Sequence, residues 1–174
     1  MGRVGVIGIG NVLMGDDALG AHVVKHLEAR YELPRDVAVV EAGTPGAALP
    51  SVMEGFESVI VVDTVKMRGA PGEVRLLDKA RLLARDPVLP MSPHEPGLRE
   101  ALFTMEFQGT APREALLVGV IPQEVELRIG LSAPVAAAVA GALAEVVSRL
   151  EALGHEVRPR AQPEEPDLWW ERSA

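Results

Sequence analysis

Cysteine is missing from this chain of 174 residues. Its absence removes disulfides, a thiolate nucleophile and any zinc-finger-type site. Aromatic residues make up only 3% of the chain, so Val, Leu, Ile and Ala must fill the core. Basic residues number 17 against 25 acidic ones, and the net charge of −8 argues against nucleic acid or an anionic membrane as partner. The start, MGRVGVIGIG, lacks the apolar region and small-residue cleavage site of a signal peptide. No apolar stretch reaches the ~20 residues of a bilayer span, so the expectation is a cytoplasmic protein. Two familiar phosphate loops are also missing. Gly10 and Gly15 stand four residues apart as in a P-loop, but Asp16 and Asp17 occupy the places of its Lys and Ser or Thr. A dinucleotide loop needs glycine where Leu13 stands, and Glu41 is only half a match for its ribose partner. No Ser lies in G-x-S-x-G, so a hydrolase nucleophile elbow is absent.

What remains is one domain's worth of alternating elements. Val4 to Ile9 is an apolar run ending in glycines, the pattern of a strand buried on both faces. A helix from about Asp17 to Arg30 follows, with Leu19, Val23, Leu27 and Tyr31 on one side, and Pro34 breaks the chain. Val37 to Val40 forms a second strand closed by EAGTPG, and a short helix covers Ala47 to Gly55. SVIVVD, Ser58 to Asp63, is the clearest central strand; EVRLLD alternates like an edge strand expected beside it. Residues 85–97 hold four of the fourteen prolines and imply an irregular loop. Leu98 to Phe107 reads as a helix and Glu114 to Pro122 as another buried strand. A long last helix has Ser132 as N-cap, Pro134 in its first turn and Gly154 just past its end. Its Ala-rich side suits close approach to the sheet.

This order implies an α/β fold in three layers: a twisted, mostly parallel sheet of about five strands, helices on both faces, and one antiparallel edge strand. Residues 1–154 form the single domain, and 155–174 a polar tail, flexible or draped over the surface. Trp169 and Trp170 within that tail are expected to pack on the parent domain or in a contact between molecules rather than mark a partner site.

In such sheets ligands bind outside the carboxyl ends of the strands. Asn11, Asp16 and Asp17 arrive there after the first strand, then Glu41, Gly43 and Thr44, then Asp63, and finally Pro122, Gln123 and Glu124. The Pro-rich loop adds His94. Carboxylates gathered without Lys or Arg destabilise one another unless a cation offsets them. One His and two carboxylates suit a divalent ion such as Ni, Mn, Fe or Zn. Bland roles stand beside these. Asp16 and Asp17 also suit helix capping, and Asp63 a structural hydrogen bond. His94 alone is an ordinary loop residue, and its case rests on arriving with Asp17 and Asp63. His22 and His26, four apart, lack the Glu of a zinc-protease helix and are expected to face solvent. His155 suggests nothing.

In order, GIGNVLMGDDALG, EAGTPG, VVDTVKMRGAPGEVRLL, SPHEPGL and GVIPQEVELRIGLSAPV resemble the hydrogenase maturation proteases across residues 4 to 150. The resemblance implies an endopeptidase that removes a C-terminal extension from the large-subunit precursor of a nickel–iron hydrogenase once nickel is inserted. It implies that Asp17, Asp63 and His94 contact the precursor's nickel, so that the resting enzyme holds no metal of its own, and that another divalent cation can stand in the nickel's place. No organic cofactor is expected, and the partners implied are the precursor alone, without nucleic acid or membrane, for a monomer. The acid before the Gly-Thr pair is commonly Asp in that family and is Glu41 here. The resulting expectation is metal-assisted hydrolysis without a covalent nucleophile, with Glu41 or Asp16 as general base. Glycine-rich loops at 8–10 and 43–46 would let substrate backbone approach closely. The alternatives are a nucleotide- or metal-binding α/β module without catalysis, or a precursor chaperone.

Overall fold

The computed structural model describes residues 2–84 and 97–172. His94 and most of the Pro-rich loop therefore lie outside the described residues. The elements in chain order are β1 (Val4–Ile9), α1 (Leu19–Arg30), β2 (Tyr31–Glu32), β3 (Val37–Gly43), α2 (Leu49–Met53), β4 (Ser58–Thr64) and β5 (Val74–Asp78). They continue with α3 (Lys79–Leu83), α4 (Leu98–Gln108), β6 (Glu114–Val120), α5 (Ala133–Ala152) and β7 (Arg158–Pro159). Five strands form the main sheet in the order β3-β1-β4-β6-β5. All neighbours in it run parallel except β5, which lies antiparallel to β6.

The edge strand therefore exists, but beside β6 rather than β4. The reason is topological: β4 already has β1 on one side and β6 on the other, with Val61 between Ile7 and Leu117. No edge of β4 is left, so the chain after it must pair further out.

Strand residues alternate between two cores, as the pleat requires. Val4, Val6, Ile60, Val62, Val118 and Val120 face α1 and α5. Ile7, Ile9, Val59, Val61, Ala115 and Leu117 face the side covered by α2, α3 and α4. Strands buried on both faces explain why the central runs are continuous Val and Ile instead of alternating with polar residues.

α5 is 20 residues long and apolar enough, by length and composition alone, to cross a bilayer. Here Val135, Val139, Leu143, Val146 and Leu150 lie in the core. The Ala-rich side is turned the other way from the sequence expectation. Ala138 and Ala142 are buried, whereas Ala136, Ala137, Ala140, Gly141 and Ala144 are exposed. The larger side chains take the inner face because they bury more apolar area per residue.

Beyond α5 the chain returns along the sheet's flank. Arg158–Pro159 pairs antiparallel with Tyr31–Glu32, and Arg160 donates its backbone N–H to Arg30. Trp170 ends fully buried against α1, edge-to-face with His22 at 5.3 Å. His22 is thereby buried, and His26 partly so, which corrects the expectation that both face solvent. Nothing local to α1 announces this; the cover comes from a segment more than 140 positions later. Burial, with His26 adding to it, lowers the pKa of His22 from 6.5 to about 4, although the Glu171 carboxylate lies 3.4 Å away. His26 shifts the same way, again mainly through burial.

Two outcomes follow for stability. Trp170→Ala should cost about 3–5 kcal/mol, read as a lowered denaturation midpoint. The unfolded chain binds a proton at His22 below pH 6.5 while the folded one resists until about 4. This contribution, of about 3 kcal/mol, is therefore complete above pH 6.5 and is lost on acidification to about 4. Denaturant titrations between those limits should show a shallower pH slope for His22→Gln than for the wild type.

Candidate active site

The carboxyl ends of β1 and β4 lie side by side where the chain changes direction. α1 leaves β1 for β3 on one face, and α2 leads from β3 back across β1 to β4 on the other. That is the topological switch point at which open α/β sheets place their ligands. Two glycines let α1 approach this point unusually closely. A Cβ on Gly20 would lie 2.3 Å from the Ile9 carbonyl oxygen and 2.6 Å from that of Val62, so only hydrogen fits. Gly10, at φ +136°, makes the turn out of β1, and a Cβ there would lie 1.8 Å from the Asp17 carbonyl oxygen.

Asp17 sits in the 3-10 turn Gly15–Ala18 that leads into α1. Its Oδ2 accepts the Asn11 backbone N–H at 2.7 Å, and its Oδ1 accepts the Thr64 hydroxyl at 3.3 Å. Thr64 closes β4 next to Asp63, whose Oδ1 accepts the Thr64 backbone N–H at 2.7 Å. Asp17, Asp63 and Thr64 are all buried. The structure thus brings two of the sequence candidates together through a threonine that the sequence reading passed over. Its signal was its position: it directly follows Asp63 in VVDT.

Asp16 has a different task. It is fully buried, and four donors converge on it from a segment more than 100 residues later. Gln123 and Glu124 donate backbone N–H groups to Oδ2 at 2.8 and 3.0 Å. Ser132 donates its backbone N–H to Oδ1 at 2.6 Å and its hydroxyl to Oδ2 at 2.8 Å. Ser132 does stand at the start of α5, but its hydroxyl serves Asp16 instead of capping its own helix. Asp16 accordingly places a negative charge near the α5 N-terminus, a favourable dipole position. With both oxygens taken, it is no longer a candidate for moving a proton.

Glu41, on β3 opposite Gly8, is partly exposed. Lys25 from α1 approaches its Oε2 to 3.6 Å and also reaches Glu28 at 3.2 Å. Burial alone would lower the Lys25 pKa; the two carboxylates outweigh it and raise it. Glu124 faces Arg128 at 2.6 Å. The expected crowd of unopposed acids is therefore thinner than the sequence suggested, because long cationic side chains from α1 and the last loop reach two of them. Among the described residues, no three His, Asp or Glu side chains are disposed to hold a metal ion. Asp17 and Asp63 meet, Glu41 and Glu124 are each matched by a cation, and His94 lies outside the described residues.

The sequence model of the HycI hydrogenase maturation proteases matches residues 21–149. This chain belongs to the hydrogenase maturation protease family. The hydrogenase 2 maturation protease of Escherichia coli is 37% identical over 165 residues, covering 91% of this chain and 96% of the relative. The hydrogenase maturating endopeptidase HybD of E. coli superposes with a TM-score of 0.81 at 36% identity, over 91% of this chain and 98% of that one. HybD from Thermococcus kodakarensis gives 0.67 at 26% identity, over 85% and 98%. As a member of this family the protein is a hydrolase, an endopeptidase, carried on the α/β sheet described above.

The Asp16 geometry gives a direct expectation. In Asp16→Asn one acceptor oxygen becomes an NH2 group facing N–H donors, at a cost of about 3 kcal/mol or more. A lowered melting temperature together with faster tryptic cleavage at Arg128 should report it.

Proposed function

We propose that this protease removes a C-terminal extension from the large-subunit precursor of a nickel–iron hydrogenase. We propose further that it reads the precursor's nickel through Asp17, Asp63 and His94, acting in the cytoplasm. The observation that carries this reading is the pair of buried carboxylates at the switch point, Asp17 and Asp63, tied through Thr64. Placing two acids under a sheet edge costs stability unless hydrogen bonds or a cation compensate. A precursor bringing a divalent ion supplies the second compensation, which couples binding to the state of the substrate's metal centre.

The nickel belongs to the substrate. Bound between the acids and an imidazole, it would polarise the scissile carbonyl or lower the pKa of a bound water to about 7. The chain's own part is to hold the carboxylates still. The Asn11 amide and the Thr64 hydroxyl fix one oxygen each of Asp17, and the Thr64 amide fixes Asp63. Of the two acids considered as general base, Asp16 is committed to four donors, which leaves Glu41. Glu41 stands at the carboxyl end of β3, partly exposed, with the Lys25 ammonium 3.6 Å away. The family's usual Asp is one methylene shorter, and the longer arm here reaches from a strand that ends beside β1.

Three substitutions test the site. Asp17→Asn, Asp63→Asn and His94→Ala, each confirmed folded by circular dichroism, should lower cleavage of nickel-loaded precursor by about 100-fold or more. Near wild-type rates in all three would remove the assignment. For Glu41, loss by about 100-fold in Glu41→Gln with only mild loss in Glu41→Asp marks a base, and equal effects mark a structural residue.

A further inference from the structure

The segment PQEVELRIGL, 122–131, enters the site description only through its amides on Asp16, yet its side chains are arranged in an ordered way. Val125, Leu127 and Ile129 occupy alternate positions and are exposed at 40%, 83% and 38%. Leu13, from the loop after β1, is exposed at 47%. Such apolar side chains at the rim of a binding crevice are not needed by the fold, which has its own two cores.

The backbone explains how these residues stand together. Arg128 donates its N–H to the Leu13 carbonyl at 3.0 Å and accepts the Gly15 N–H at 2.7 Å, a parallel bridge with Met14. Each peptide unit is planar and trans, so its N–H and C=O point in opposite directions. The C=O of Leu127 shares a peptide with the Arg128 N–H, and the Ile129 N–H shares one with the Arg128 C=O. Both therefore point away from the first loop, on the far side of the single bridge made by Arg128. Neither Leu127 nor Ile129 has a backbone partner among the described residues. The result is a short open edge, flanked by apolar side chains and held beside Asp17 by the Asp16 contacts.

The charges narrow the occupant. Arg128 is matched by Glu124, and Lys25 by Glu41 and Glu28. Exposed Glu126 has no ion-pair partner among the described residues. An occupant with apolar side chains and a Lys or Arg facing Glu126 complements this surface; an acidic one does not.

We infer that residues 127–129 form the docking edge on which the precursor's cleavable segment lies as an added strand. That segment is extended and apolar with at least one basic residue, and it pairs its backbone with Leu127 and Ile129. This inference rests on the proteolytic function proposed above. Backbone pairing supplies affinity with little demand on sequence, while alternate apolar contacts set register, so the scissile bond is delivered at a fixed distance from Asp17 and Asp63. Leu127 is a specificity-determining residue that touches the substrate away from the reacting bond.

Two measurements test the edge separately from the chemistry. Hydrogen exchange of the wild-type enzyme in excess nickel-loaded precursor should slow the amide of Ile129, the outward N–H of the edge, by at least about tenfold. Steady-state kinetics of Leu127→Asp, a change at an exposed position, should raise KM by about tenfold or more with kcat within about twofold. Glu126→Lys should raise KM in the same direction. Unchanged exchange at the Ile129 amide, or a Leu127→Asp KM within about twofold of wild type, overturns the docking edge. If the wild type protects the Ile129 amide but leaves the precursor uncut, the edge stands and the proteolytic reading fails. Neither protection nor cleavage defeats both.

Discussion

The rim of this molecule depends on one buried anion. The Asp16 carboxylate sits at the beginning of the first helical crossover and gathers four donors from the loop between β6 and α5. Hydrogen bonds to a charged group each contribute about 1.5–3 kcal/mol, and a buried carboxylate without them would cost several. The interaction is thus strong when complete and costly when partial, so the two loops have one arrangement. Asp17 follows directly in the chain, and its position is inherited from that constraint.

Close packing supplies the second half of the geometry. Gly20 lets α1 settle against the Ile9 and Val62 carbonyls, which brings the 3-10 turn carrying Asp17 over the end of β4. There the Thr64 hydroxyl reaches across to it, beside Asp63. The acids are held by a helix start, a strand end and a loop amide, rather than by a mobile loop alone. Rigid support of this kind would suit the proposed discrimination between a metal-bearing precursor and one without metal, since a soft site would rearrange around either. The proposed docking edge uses the same construction: the Asp16 contacts and the Arg128 bridge fix it in register with the carboxylates.

The sequence disclosed what depends on local pattern. β1, β4 and β6 were readable because runs such as VIVV have no role other than a strand buried on both faces. The long α5 was readable from its period and its Pro and Gly boundaries. What it hid was non-local. EVRLLD is visibly an edge strand, but its partner is decided by which strands already flank β4. Asp16 reads locally as a helix cap, and only the folded chain shows its donors arriving from Gln123 to Ser132. His22 and His26 lie off the apolar stripe of α1 and look solvated, yet Trp170 from the tail covers His22. Lys25 and Arg128 were invisible as site charges because long cationic side chains reach across elements, and their targets cannot be read from spacing. That Asp17 and Asp63 end near one another was legible because their approach to the strand carboxyl ends follows from the order of elements alone.

The central claim is that the enzyme acts on a precursor according to its metal. Its most direct test is the intact mass of a nickel–iron hydrogenase large-subunit precursor, recorded before and after incubation with this protein, with nickel inserted and with nickel withheld. The account requires a single mass decrease equal to a C-terminal segment in the loaded sample and an unchanged mass in the other. Trimming of both samples alike, or of neither, would contradict it.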